Sequence, residues 1–250
     1  MSRINILKIS LPILLFVIFF NFSFSQNLSG NNISINIEWQ AIDSYTPTFY
    51  RGRALPGEEA VIKVVPFVEV NSSVGNIDTS KLFYVWTYND SLVYGDSNNL
   101  IGNILYITLD YYRPVNTLKL DVYTDSSQSS LLGKKIIEIL PFSSLPILYR
   151  KYDNPLLTYS NAINKKYEEL KVNSGDSFNI VAEPYFFSAK NTLDPVLTYS
   201  WTTDGVFNGN IGSNVYNYFA NSVKKLDLKI TNSQKILQEG EALINFSVNQ

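Results

Sequence analysis

Whatever chemistry this 250-residue chain performs falls to carboxylates, amines, guanidinium groups and hydroxyls, because it has no histidine and no cysteine. Serine–histidine triads, cysteine nucleophiles and ordinary zinc sites are thereby excluded. Two carboxylates stand near aromatic residues: Glu38 beside Trp39, and Glu183 just ahead of Tyr185-Phe186-Phe187. A close pair of carboxylates could hydrolyse a glycoside. Nothing in the sequence brings a second one near either residue, so both are expected to be structural, Glu38 on a polar strand face and Glu183 beside a proline. Asp204-Gly205 with Asn208-Gly209-Asn210, and Asp96 with Asn98 and Asn99, offer oxygen ligands for calcium. Neither set has the EF-hand spacing, and tight turns use the same residue types. No metal or cofactor is expected. The remaining candidate is Tyr50-Arg51-Gly52-Arg53, between Pro47 and Pro56. Tyr50, Arg51 and Arg53 are the candidate binding residues, since guanidinium forks and a phenol on a shaped loop suit a carboxylate, a phosphate or a sugar ring. The competing expectation is that this segment packs across its own sandwich and seals an open edge. Tyr149-Arg150-Lys151-Tyr152 repeats the pattern, which argues against a unique site.

The elements that must carry these residues read as strands. Leu82-Phe83-Tyr84-Val85-Trp86-Thr87 and Leu197-Thr198-Tyr199-Ser200-Trp201-Thr202 share one grammar, and polar turns follow at Asn89-Asp90 and Asp204-Gly205. Trp39, Trp86, Trp201, Tyr84 and Tyr199 are the expected core aromatics. Ile33, Ile35, Ile37 and Trp39 alternate with Ser34, Asn36 and Glu38, giving one apolar face. Further strands are expected over 61–70 (Pro66 at a bulge or edge), 104–109, 118–123 and 135–140. The second half repeats the set over 178–182, 215–219, 226–230 and 242–248. Residues 142–170, punctuated by Pro146 and Pro155, read as a connection with a turn or two of helix near 161–170. No helical pattern is long enough to cross over between parallel strands, so antiparallel sheets are expected.

The halves align feature by feature. Pro66 matches Pro184, Trp86 matches Trp201, Leu120 matches Leu228 and Ile139 matches Phe246, at offsets of 118, 115, 108 and 107. A further match sets Pro47–Arg51 against Pro146–Arg150. The Tyr-x-Trp-Thr strand with its Asp-Gly turn, Leu197 to Gly205, resembles PKD-like and other bacterial immunoglobulin-like extracellular modules. Phe49–Pro56 and Ala182–Ser188 are similar to recurring features of an uncharacterised secreted family from candidate-phylum bacteria. The resemblance implies an all-β chain of two tandem antiparallel immunoglobulin-like (PKD-like) β-sandwiches, covers about 33–248, and carries no catalytic residue. The chain lacks the Trp-Asp-Phe-Gly-Asp motif of better-known PKD modules. The expected division is a signal peptide over 1–25, sandwiches over 26–141 and 171–250, and a linker over 142–170.

Arg3 and Lys8 precede an apolar run from Leu11 to Phe20, and Ser23-Phe24-Ser25 offers a cleavage site before Gln26. The run is short for a spanning helix, which needs about 20 residues. No membrane span is expected after cleavage, and export places the protein outside the cell, at its surface or in the periplasm. Losing Arg3 and Lys8 takes the formal net charge from −2 to −4. A mildly acidic surface excludes nucleic acid as an expected partner. The functional expectation is a non-enzymatic interaction or spacer protein whose partner is a protein or polysaccharide of the cell envelope. The alternative is a carbohydrate-binding protein using exposed aromatics.

Overall fold

The computed structural model describes residues 31–72, 78, 81–93, 104–154, 157–164, 169–207, 212–220 and 223–249. The expected signal peptide and the turn residues Asp96, Asn98, Asn99, Asn208, Gly209 and Asn210 lie outside them. Sixteen strands are formed, and no α-helix among the described residues. The first seven are β1 (Asn31–Ala41), β2 (Val61–Ser72), β3 (Phe83–Tyr88), β4 (Ser91–Val93), β5 (Leu105–Thr108), β6 (Asn116–Tyr123) and β7 (Leu131–Ile139). They make two sheets, β1-β2-β5 and β4-β3-β6-β7. Ala41, Ile62, Val64, Leu105 and Ile107 from one sheet meet Trp86, Leu118, Leu120, Val122 and Ile139 from the other. Period-2 alternation produces this: in β1 the apolar residues turn inward while Ser34, Asn36, Glu38 and Gln40 are exposed.

The second sandwich uses β8 (Leu145–Asn154), β9 (Leu157–Ala162), β10 (Glu169–Asn173), β11 (Ser177–Tyr185), β12 (Leu197–Thr203), β13 (Val206–Phe207), β14 (Val215–Phe219), β15 (Lys225–Asn232) and β16 (Glu239–Asn249). Its sheets are β14-β11-β8-β9 and β10-β16-β15-β12-β13. The chain is thus all-β, built from two immunoglobulin-like sandwiches. The repeat holds at the level of single hydrogen bonds. Trp86 lies opposite Leu120, and Trp201 opposite Leu228. Asn89 N–H donates to Thr117 O at 3.0 Å, and Asp204 N–H to Lys225 O at 3.0 Å. Each turn side chain also accepts from the same strand: Asn89 Oδ1 from Thr117 N–H, and Asp204 Oδ1 from Lys225 N–H, both at 2.9 Å. Asp204 is therefore spent on turn chemistry, with φ at +48° and Gly205 following at +84°.

Three expectations need correction. Residues 142–170 carry β8, β9 and the start of β10: Leu145 to Lys151 of β8 runs antiparallel to β11, opposite Tyr185 to Asn179. Pro146 did not break the strand because it sits opposite Pro184, where neither partner needs to donate. The match of Pro47–Arg51 with Pro146–Arg150 fails for the same reason, since the first is loop and the second is strand. The true counterpart of β8 is β1, whose Ile37 lies opposite Pro66. Finally, β10 pairs with β16 in parallel, among sheets otherwise antiparallel. The two strands lie so far apart in sequence that the intervening sandwich itself serves as the crossover.

Candidate functional site

The loop after β1 does not lie on its own sandwich alone. Residues 43–59 strap the outer face of the β14-β11-β8-β9 sheet. On β11 the amide of Ala182 donates to Asn214 O, where β14 begins, and Pro184 then has no N–H to offer. Beyond that gap, Phe186 N–H donates to Tyr45 O at 2.8 Å, Tyr45 N–H to Phe187 O at 2.7 Å, and Ala189 N–H to Asp43 O at 3.1 Å. The strap thus continues the sheet edge past the end of β14. Phe186 holds φ at +65°, a conformation that costs a bulky residue about 1–3 kcal/mol and persists only where surroundings enforce it. Gly57 lies so close that a Cβ there would stand 2.2 Å from Phe186 O.

Beneath the strap is a second apolar cluster of Tyr149, Tyr185 and Phe186, with Tyr50, Leu55, Ile147, Tyr159 and Ala162 packed against it. Two buried faces explain why 180–187 is an almost unbroken apolar run: Ile180 and Ala182 face the sandwich core, Glu183 and Tyr185 the strap. Glu183, expected to be structural beside its proline, is only 4% exposed. The hydroxyl of Tyr45 donates to Glu183 Oε2 at 2.6 Å, and Tyr159 supplies a second hydrogen bond. Burial pushes the Glu183 carboxyl above its ordinary range, and the two tyrosine hydrogen bonds pull the other way. Burial, with the carboxylate beside it, raises the Tyr45 phenol in turn. Gln238, fully buried, closes the far side: its Nε2 donates to Glu58 O at 2.5 Å and to Ser188 Oγ at 2.8 Å, while its Oε1 accepts from Ser188 N–H and Asn232 Nδ2.

The sequence-derived candidates fall as follows. Tyr50 packs edge-on to Tyr185 and Phe186, with centroids 5.6 and 6.2 Å away. Arg51 is exposed. Arg53 lies over Trp39, its Cζ 3.9 Å from the ring centroid. The three residues share a loop, and two of them are engaged by aromatics of different sandwiches. Trp86 is 2% exposed, Trp201 and Tyr199 no more than that, while Trp39 and Tyr84 are half-buried against the first core. Glu38 is exposed, far in role from Glu183. Among the described residues no group of three acidic side chains is arranged to hold a metal. A carbohydrate platform would need a row of exposed rings. On the outer face of β1-β2-β5 the described residues give two, Phe67 and Tyr106.

Two features escaped the sequence reading. The tyrosine cage around Glu183 joins residues 138 apart in sequence, which no local pattern signals. The other is a pocket of about 430 Å³ where β8, β11 and β14 run together, lined in part by Lys151, Asn179 and Asn217.

No family model matches the chain, and no curated protein does. Two solved structures are similar in part. One is SGBP-B of a Bacteroides ovatus mixed-linkage glucan utilization locus, in complex with a mixed-linkage heptasaccharide (8% identity, TM-score 0.26). That alignment covers 88% of this chain and 48% of the other, so the chain spans about half its length. The second is the ectodomain of mouse nectin-like molecule 4, Ig1–Ig3 (10% identity, TM-score 0.27, 87% of this chain and 64% of that one). No helix among the described residues is long and apolar enough to cross a membrane.

Proposed function

We propose that this chain is an exported, non-enzymatic interaction and spacer protein whose two immunoglobulin-like sandwiches act as one stiff body. The observation that carries the reading is the strap. A flexible tether would leave each module's surface complete, whereas here the first module supplies backbone hydrogen bonds to Phe186, Phe187 and Ala189 of the second. The junction also buries a carboxylate and a glutamine that are each hydrogen-bonded to the first module, Glu183 to Tyr45 and Gln238 to Glu58 O. Stiffness of this kind suits a protein that holds a binding surface at a fixed distance from its attachment point. The Glu183 carboxylate is buried and hydrogen-bonded to tyrosine, which supports a non-catalytic role.

Spin labels on Lys134 and Lys224, one in each module, test the reading by pulsed dipolar spectroscopy on the full chain. The expected result is a single narrow distance distribution that broadens in Gly57→Val. A broad distribution in the unmodified protein would end the stiff-spacer reading. The absence of turnover on polysaccharide, peptide and phosphoester substrates is the matching expectation, and mass spectrometry of the exported protein should find Gln26 as its first residue.

A further inference from the structure

The strap covers only part of the outer face of the β14-β11-β8-β9 sheet. Past Tyr149 the face is open, and strand register sets a row of side chains across it. Tyr159 of β9 lies opposite Lys151 of β8, Lys151 opposite Asn179 of β11, and Asn179 opposite Asn217 of β14. Neighbouring strands are about 4.8 Å apart, so the row spans roughly 14 Å. Ser177 lies two residues along from Asn179 on the same face. The pocket of about 430 Å³ opens here, and that volume lies in the range of small-ligand sites, roughly 300–1,000 Å³.

Its lining is one-sided in charge: Lys151 stands on the outer face, Arg150 lies opposite Ile180 with its side chain on the other side of the sheet, and no carboxylate lines the pocket. Neither cation is in an ion pair among the described residues. The Arg150 guanidinium rests over Phe178, its Cζ 4.2 Å from the ring centroid, and its buried Nε has no acceptor among the described residues. At the other end Phe49, 43% exposed, packs on Tyr149 and Tyr159 at 5.5 and 5.3 Å, giving the row an aromatic wall supplied by the strap.

We infer that this ledge binds an acidic saccharide, one hexuronate unit at a time, with the carboxylate on Lys151 and the ring hydroxyls on the amides. The division of labour follows from donor and acceptor capacity. Lysine only donates, which suits a carboxylate; asparagine and serine both donate and accept, which suits hydroxyl groups that do the same. An acidic peptide would use Lys151 and leave the amides and the aromatic wall without a matching partner. The site goes beyond the spacer reading, and neither depends on the other.

The test is calorimetric titration of the full chain with trisaccharides of galacturonate, glucuronate and mannuronate. Their methyl esters and a triglutamate peptide are the comparison ligands. At least one uronate is expected to bind, with its ester and the peptide at least about tenfold weaker. Lys151→Gln and Asn179→Ala should each weaken binding about tenfold, which is 1.4 kcal/mol, with melting temperatures unchanged. No binding of any uronate overturns the inference. So does an ester that binds as well as its acid, triglutamate that binds as well as the sugar, or Lys151→Gln without effect.

Discussion

The two sandwiches share a frame down to single hydrogen bonds, yet they bury it differently. In the first, the outer face of β1-β2-β5 is open and carries Asn36, Glu38 and Phe67. In the second, the corresponding face is partly roofed by the first module's own loop. The tryptophans differ in the same direction. Trp201 Nε1 donates to Ser213 O at 2.9 Å, whereas Trp86 Nε1 is buried without an acceptor among the described residues. The lesson is that repeated modules need not be interchangeable: the first gives a strap and the second receives it.

The comparison is broken hardest at the tryptophans. Trp201→Ala and Trp86→Ala should each cost about 3–5 kcal/mol. Trp→Phe separates the two, because only at 201 does it remove a hydrogen bond and strand Ser213 O, adding about 1–2 kcal/mol. Urea denaturation of the full chain checks this, and equal losses at both sites would contradict the asymmetry.

Gly57→Val comes next. A side chain at 2.2 Å from a backbone oxygen must push the strap away, at a cost of about 1–3 kcal/mol felt by the second module. Hydrogen exchange should show the amides of Tyr45, Phe186 and Ala189 losing protection while those of Leu118 and Leu120 keep theirs. Loss confined to the first module would show the strap to be incidental.

A smaller effect sharpens the role of Glu183. Because its folded pKa is raised, the folded state holds the proton more tightly than the unfolded chain. Stability is therefore greatest below the ordinary glutamate value of 4.5 and falls as pH rises through the folded value. Glu183→Gln should flatten that decline in melting temperature, and an unchanged slope would mean that the carboxyl is not the titrating group. The smallest expected effect is at the exposed Lys229–Glu239 pair, 2.7 Å apart, where Glu239→Gln should leave the urea midpoint nearly unchanged.

Much of the frame was legible in the sequence because one buried face leaves a period of two. Ile33 to Trp39 and Leu118 to Val122 alternate for that reason, and the Trp strands end in turn residues whose positive φ demands Asn, Asp or Gly. The legibility failed where a strand is buried on both faces or where proline is harmless. β8 was hidden by Pro146, which is tolerated opposite Pro184, and Ile180 to Phe187 loses its alternation under the strap. The Tyr50-Arg51-Gly52-Arg53 loop was recognisable as an ordered segment. The target of Tyr50 could not be read, since Tyr185 and Phe186 lie more than 130 residues away and leave no local periodicity.

That separation bears on the order in which the chain matures. The strap is made early, but Glu183 and Gln238 follow it by 138 and 180 residues. Docking therefore waits until nearly the whole chain is available, and closing so long a loop makes it a late and slow event. Until then the first sandwich stands complete with a loose aromatic loop, and the second has an uncapped edge. That interval is the vulnerable part of folding, and the finished strap marks its end.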